Sequence, residues 1–194
     1  MTARDPRVPV YGVGHAARLR GWRPADLAVF REWLRPHHEW HDWDGPYYPV
    51  PDDAQADARV AALAAAPAGA PDGMPPRTVV VADADDRFVG TVSWYWESQE
   101  TSWARMGVGV YDPAVRGRGI GREALALWTT YLFQVTDWGR LDFATWSGNL
   151  PMLGVGRSLG FVEEGRFRDA RIVRGERYDA VVMGVLRSEW EARA

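Results

Sequence analysis

Residues 106–121, MGVGVYDPAVRGRGIG, decide the reading of the fold. Met106, Val108 and Val110 alternate with small residues as a strand does, and Asp112-Pro113 ends that run. A glycine-rich turn follows and opens at Gly121 into a helix that places Ala124, Leu125, Trp128, Tyr131 and Leu132 on one face as far as Phe133. A turn of this kind gathers backbone N–H groups at a positive helix end, and Gly117, Gly119 and Gly121 let an anion come close. Arg116, Arg118 and Arg122 add positive charge suited to bidentate phosphate contact. The stretch reads as a cradle for a diphosphate; the plainer reading is a strand-to-helix turn whose glycines serve only the backbone.

Working outward, Pro24–Leu34 carries Leu27, Phe30, Trp33 and Leu34 at helical spacing, and Ala54–Ala66 is an Ala-rich second helix followed by a loop over Pro67–Pro76. Ala16–Arg20 is expected to be a short opening strand. Thr78–Ala82, Phe88–Glu97 and Ala104–Tyr111 form an antiparallel meander with turns at Asp83–Asp86 and Ser98–Ser102. After the central helix come a strand over Leu141–Thr145, a short helix over Leu150–Leu159, and a hairpin of Phe161–Val173 and Arg177–Leu186 turning at Gly175. This is a mixed α/β arrangement around one sheet.

At 194 residues, a single domain over residues 1–194 is expected. No apolar run approaches the ~20 residues of a membrane span, and MTARDPRVPV lacks a secretory h-region, so a cytoplasmic location is expected. With no cysteine there is no thiol nucleophile or Cys-based metal site, and because all 23 basic residues are Arg, a Schiff-base lysine and a lysine P-loop are excluded. A net charge of −3 favours neither nucleic acid nor an anionic membrane as a partner. In the Arg-rich closing hairpin, Glu163, Glu164, Asp169, Glu176 and Asp179 interleave with the arginines, as on a salt-bridged solvated face.

The loop Arg116–Gly121 resembles the acetyl-CoA signature R-x-x-G-x-G/A of the GNAT N-acetyltransferases, through Arg116, Gly119 and Gly121. Asn149 and Phe161 in NLPMLGVGRSLGF resemble that family's N…LGF segment, RYDAVVMGVLRSEW is similar to the closing strand of its ribosomal-protein N-terminal acetyltransferase branch, and WHDWDGPYY resembles an early segment of some bacterial members. The resemblance implies a GNAT-like single sheet, mixed but mostly antiparallel and flanked by helices. It also implies direct transfer of an acetyl group from acetyl-CoA to an amine, with no metal. Val108 and Val110 would pair with pantetheine, the loop Arg116, Gly117, Arg118, Gly119, Ile120, Gly121 with Arg122 would hold the diphosphate, Asn149 would reach the pantetheine arm, and a backbone N–H near Val108 would meet the developing oxyanion. The implied partner is an amine-bearing small molecule or protein N-terminus, and a homodimer is an arrangement it allows.

The chain departs from that pattern where the acid is usually placed, with Met152 and Gly156 at the positions of the family's hydroxyls. The thiolate's proton would come from water, from Ser147 or Tyr178, or be unnecessary. Candidate bases are Glu97, otherwise a solvated strand end, and Tyr178 with Asp179, otherwise structural. In RPHHEWHDWDGPYYPVP, residues 35–51, the pattern H-E-x-x-H fails by one residue, so no metal site is expected. His37, Trp40, His41, Trp43, Tyr47 and Tyr48 are instead expected to wall the acceptor pocket, or to form a satellite core. A catalytically silent CoA-binding module and a nucleic-acid binder are the alternative functions.

Overall fold

The computed structural model describes residues 7–66 and 73–193; residues 67–72 of the expected loop lie outside them. One sheet contains β1 (Val10–Val13), β2 (Arg18–Arg20), β3 (Thr78–Ala82), β4 (Phe88–Ser98), β5 (Trp103–Val110), β6 (Arg140–Trp146), β7 (Val162–Val173) and β8 (Glu176–Leu186). Their order is β1-β2-β3-β4-β5-β6-β8-β7, antiparallel throughout except for the parallel neighbours β5 and β6. The parallel pair follows from connectivity, because the helix α3 (Ile120–Val135) carries the chain back over one face between β5 and β6. The other helices are α1 (Pro24–Trp33), α2 (Asp53–Ala65), α4 (Leu150–Ser158) and the short α5 (Arg187–Glu191).

Two cores cover the two faces. Beneath α3, Leu125, Trp128 and Leu132 pack with Val79, Val81, Trp94, Met106, Leu141, Phe143 and Met183 from five strands. On the opposite face Phe30, Leu34, Trp40 and Ala56 pack on Val80, Ala82, Phe88 and Tyr111. The fully buried Arg20 guanidinium joins this second layer to the sheet. It donates to Asp26 of α1 at 2.6 and 3.0 Å and to Asp86 in the β3–β4 turn at 3.1 Å.

Three elements differ from the sequence reading. The opening strand expected over Ala16–Arg20 is only Arg18–Arg20, because the N–H groups of Ala16 and Ala17 are taken by the Glu123 carboxylate, both at 2.6 Å. β1 precedes it unforeseen, since VYGV is too short and too evenly half-exposed to show a period. α5 escaped because a five-residue helix has too few turns to display a face.

Glu123 also accepts from His15 N–H at 2.8 Å, and so ties the first turn of α3 to the β1–β2 turn. Burial alone would raise its pKa, but the three backbone donors outweigh it and hold the carboxyl below its ordinary 4.5. A depressed pKa contributes stability above the unfolded value that is lost as pH falls through the folded one. Glu123→Gln should therefore lower the melting temperature near neutral pH. Thermal melts from about pH 7 down to about pH 3 should show that gap between variant and parent closing on the acid side.

Candidate active site

β5 pairs with β4 along its whole length but with β6 only at Ala104↔Leu141 and Arg105↔Asp142. Beyond those two pairs the strands part, and β6 keeps its other edge on β8 from Arg140 to Trp146. A wedge thus opens between residues 106–110 and 143–146. Tyr111 N–H donates to Val89 O at 2.9 Å, toward β4, so by the alternation of an antiparallel ladder Val108 and Val110 turn their N–H and C=O into the wedge. Arg116 Nε takes the Val110 carbonyl at 3.3 Å.

A buried carboxylate marks the closed end of the wedge. Asp142 is 0% exposed and accepts from Arg105 Nε at 2.7 Å and Trp103 Nε1 at 2.5 Å, with Arg140 at 3.4 Å. Arg105 also holds Glu97 at 2.8 Å.

The open end leads to the glycine turn. Gly117 and Gly119 have φ of 73° and 81°, a conformation that favours glycine, and a Cβ on either would meet nothing within 4 Å. Gly121 is in ordinary helical geometry and its Cβ would touch only Val110 Cγ2 at 3.5 Å. Neither strain nor crowding within the chain demands a glycine there, which leaves room for a group approaching the helix end. Among the described residues, no hydrogen bond is donated by the N–H groups of residues 117–122, and no side chain pairs with Arg118. The first amides of α3 therefore point outward, an arrangement that fits an anion. The Arg116 side chain is differently employed than expected: it caps the end of β5 and pairs with Glu39 at 3.1 Å. Arg122 reaches Ser158 at 3.1 Å.

Beside the wedge lies a cleft of about 450 Å³, between a 3₁₀ turn at Glu39–Asp42, the end of β6 and the tip of the β7–β8 hairpin. Trp43, Trp146 and Tyr178 supply aromatic faces, and Glu39, Asp42 and Glu176 supply carboxylates. Tyr178 donates to Glu176 at 2.9 Å and stands edge-on to Trp146. Asn149 caps α4 by accepting from Met152 N–H, and its amide donates at 3.1 Å to the Trp43 carbonyl, which Trp146 Nε1 also reaches at 3.2 Å. The aromatic segment is thereby pinned to the rim of the wedge.

The segment divides. Trp43 lines the cleft, whereas Trp40 is buried against Tyr111 in the second core, where its indole donates to the Trp33 carbonyl. Trp40 is thus a core residue rather than a pocket wall, because its position falls on the face of the 3₁₀ turn that meets α1. His41 stacks on Trp40 and uses Nε2 to donate to Arg35 O at 3.0 Å, and burial lowers its pKa. His37 and His38 lie 3.9 and 3.6 Å from Glu32 Oε1, away from the cleft lining. Tyr47 sits under the Arg171 guanidinium, and Tyr48 is exposed.

The two carboxylates proposed as bases are both in ion pairs. Glu97 is held by Arg105 at the closed end of the wedge, and Asp179 by Arg166 at 2.8 Å and Asp169 N–H at 3.1 Å, which keep its carboxyl below the ordinary range. Ser147 Oγ accepts the Asp179 N–H at 3.0 Å and extends the β6–β8 ladder. Glu39, Asp42, Glu176 and Trp146 were missed from sequence, since only the fold brings these four positions around one cleft.

The chain belongs to the GNAT acetyltransferase family, whose acetyltransferase (GNAT) domain matches residues 17–162. It is similar to YokL of Bacillus subtilis (strain 168), an uncharacterized N-acetyltransferase derived from the SPbeta prophage, at 23% identity over 58% of this chain and 63% of that protein. YdaF of the same organism, named provisionally as a ribosomal N-acetyltransferase, is 35% identical over 39% of this chain and 41% of its own length. These matches span less than two thirds of either relative. In fold it resembles a GCN5-related N-acetyltransferase from Brucella melitensis (TM-score 0.70, 20% identity, 96% of this chain and 82% of that one). It also resembles the spermidine N-acetyltransferase from Vibrio cholerae in complex with CoA and spermine (TM-score 0.69, 18% identity, 90% and 98%).

Asp142 joins both sides of the sheet at its one parallel contact, so Asp142→Ala would leave the Arg105 and Trp103 donors without their buried acceptor. Breaking a buried pair in this way should cost about 3–5 kcal/mol in chemical denaturation.

Proposed function

We propose that the chain is one N-acetyltransferase domain that moves an acetyl group from acetyl-CoA to a primary amine of a small molecule or a protein N-terminus. One observation carries the reading: a wedge with unpaired strand amides runs on to outward-pointing amides at Gly117–Arg122 and opens beside an aromatic, acidic cleft. The residues suit the cosubstrate by position. The amides at 117–122 with Arg118 and Arg122 would hold the diphosphate, and the Val108 and Val110 backbone would hold the arm in the wedge. Bound acetyl-CoA supplies an acyl thioester ready for attack by an amine.

The chain's own residues orient the acceptor and handle protons. The faces of Trp43, Trp146 and Tyr178 attract an ammonium, and Glu39, Asp42 and Glu176 favour it electrostatically. The attacking species must be the neutral amine, whose departing proton can pass to water or to Glu176, next to the Tyr178 hydroxyl. The Val108 N–H faces the wedge, where it can donate to the carbonyl oxygen as charge develops. A silent CoA-binding module is the second reading, favoured by the ion pairs that occupy Glu97 and Asp179. Release of CoA thiol with an amine present decides between them.

Three outcomes follow from the proposed reading. Gly121→Val should fold normally and weaken acetyl-CoA binding by about tenfold or more in calorimetry, whereas substitution at Gly119 would confound binding with backbone strain. Trp43→Ala should raise the acceptor KM roughly three- to thirtyfold and leave the KM for acetyl-CoA unchanged. Turnover should rise with pH as the amine deprotonates, with Glu97→Gln and Asp179→Asn each losing less than about tenfold, because a dedicated base contributes about a hundredfold or more. A loss of several orders of magnitude at either residue, with binding intact, would identify it as the base.

A further inference from the structure

The β7–β8 hairpin turns through Arg174 and Gly175, with φ of 52° and 83°. A two-residue turn of this hand needs positive φ at both positions, and Asn or Gly ordinarily fills the first because longer side chains are strained there. Arginine at that position works against stability. Its guanidinium reaches over the cleft to Asp42, Nη2 to Oδ2 at 2.6 Å, in a pair whose partners are 71% and 49% exposed. An ion pair so open to water returns little stability. The hairpin tip has a second hold on the same segment in Arg171 over Tyr47, so the Arg174 link is not needed to keep the tip in place. Of the other cleft carboxylates, Glu39 is answered by Arg116, while no cation among the described residues pairs with Glu176. Arg174 is thus a strained, exposed cation placed in an anionic, aromatic cleft.

We propose that Asp42 is the anchor for a second cationic group on the acceptor, by which the cleft selects amines carrying two positive charges over those carrying one, and that Arg174 is a built-in competitor for that anchor which limits the preference. The reacting amine lies toward Trp146 and the wedge, and the distal ammonium replaces the Arg174 guanidinium at Asp42, leaving Arg174 to swing into solvent. The inference rests on the reading of this cleft as the acceptor site. Its ligand class is a small aliphatic diamine or longer polycation with an unhindered primary amine. Under this reading Asp42 sets specificity, Arg174 tempers it, and Arg174 takes no part in the transfer step.

Calorimetric titration of the full chain with putrescine and with butylamine tests it, on the parent, Arg174→Asn and Asp42→Asn. The parent should bind putrescine about tenfold or more tightly than butylamine. Arg174→Asn should tighten putrescine about threefold or more and leave butylamine unchanged, since removing a competitor raises the competent fraction. Its melting temperature should not fall, because asparagine suits the turn. Asp42→Asn should abolish the preference. If Arg174→Asn melts lower than the parent, Arg174→Gly carries the same test. Equal affinity for the two amines in the parent, binding of neither, or unchanged or weaker putrescine binding on removal of Arg174 would overturn the proposal. The transferase reading is scored separately by thiol release. Turnover of an amine without a diamine preference sinks the distal subsite alone, and a diamine preference without turnover of any amine sinks the transferase reading alone.

Discussion

Two residue pairs and one buried carboxylate decide the shape of this molecule. β5 and β6 touch only at Ala104↔Leu141 and Arg105↔Asp142, and Asp142 gathers Arg105, Trp103 and Arg140 at that point. The clamp holds the two halves of the sheet together at one end and leaves the strands free to diverge at the other. A longer parallel ladder would satisfy the backbone of Val108 and Val110 internally and close the wedge. Because pairing stops after two residues, unpaired strand amides lie in line with the outward amides of α3, and the cradle and the wedge become one continuous surface.

The strand–turn–helix part of that surface was legible in the sequence for a physical reason: strand, turn and helix follow one another within Met106–Val135, so local periodicity and glycine placement report it directly. Positive φ at Gly117 and Gly119 accounts for two of the three glycines by conformation, and the open approach at Gly121 accounts for the third by space. The meander β3–β4–β5 and the closing hairpin were legible because runs rich in β-branched and aromatic residues, bounded by turn residues at Asp83–Asp86, Ser98–Ser102 and Gly175, are a strong strand signal. The contacts of Arg116 were not, since a motif fixes its position and not the Glu39 carboxylate that lies beside it.

The neighbouring cleft was read only as a composition. A run of histidines and aromatics after α1 marked a segment that borders the cleft, but the segment is irregular, and no period shows that Trp40 turns inward to Tyr111 while Trp43 turns to the cleft. The remaining walls come from Trp146 at the end of β6 and from the hairpin tip, over a hundred residues away in sequence, and only the sheet order β6-β8-β7 brings them opposite the 3₁₀ turn. Glu97 stood out in sequence as a carboxylate at a strand end, and Asp179 as one beside Tyr178 entering an apolar strand. Their arginine partners, Arg105 and Arg166, sit across neighbouring strands or two positions around a bulge, where sequence spacing gives no warning.

Amide hydrogen exchange with and without saturating acetyl-CoA tests the central claim most directly, because it reads the backbone groups on which the wedge and cradle depend. Slowed exchange is expected at Val108 and Val110 and across residues 117–122, with the β3–β4 ladder unchanged. Saturated binding that leaves those amides exchanging at their original rates, or protects the β1–β2 edge instead, would contradict the account.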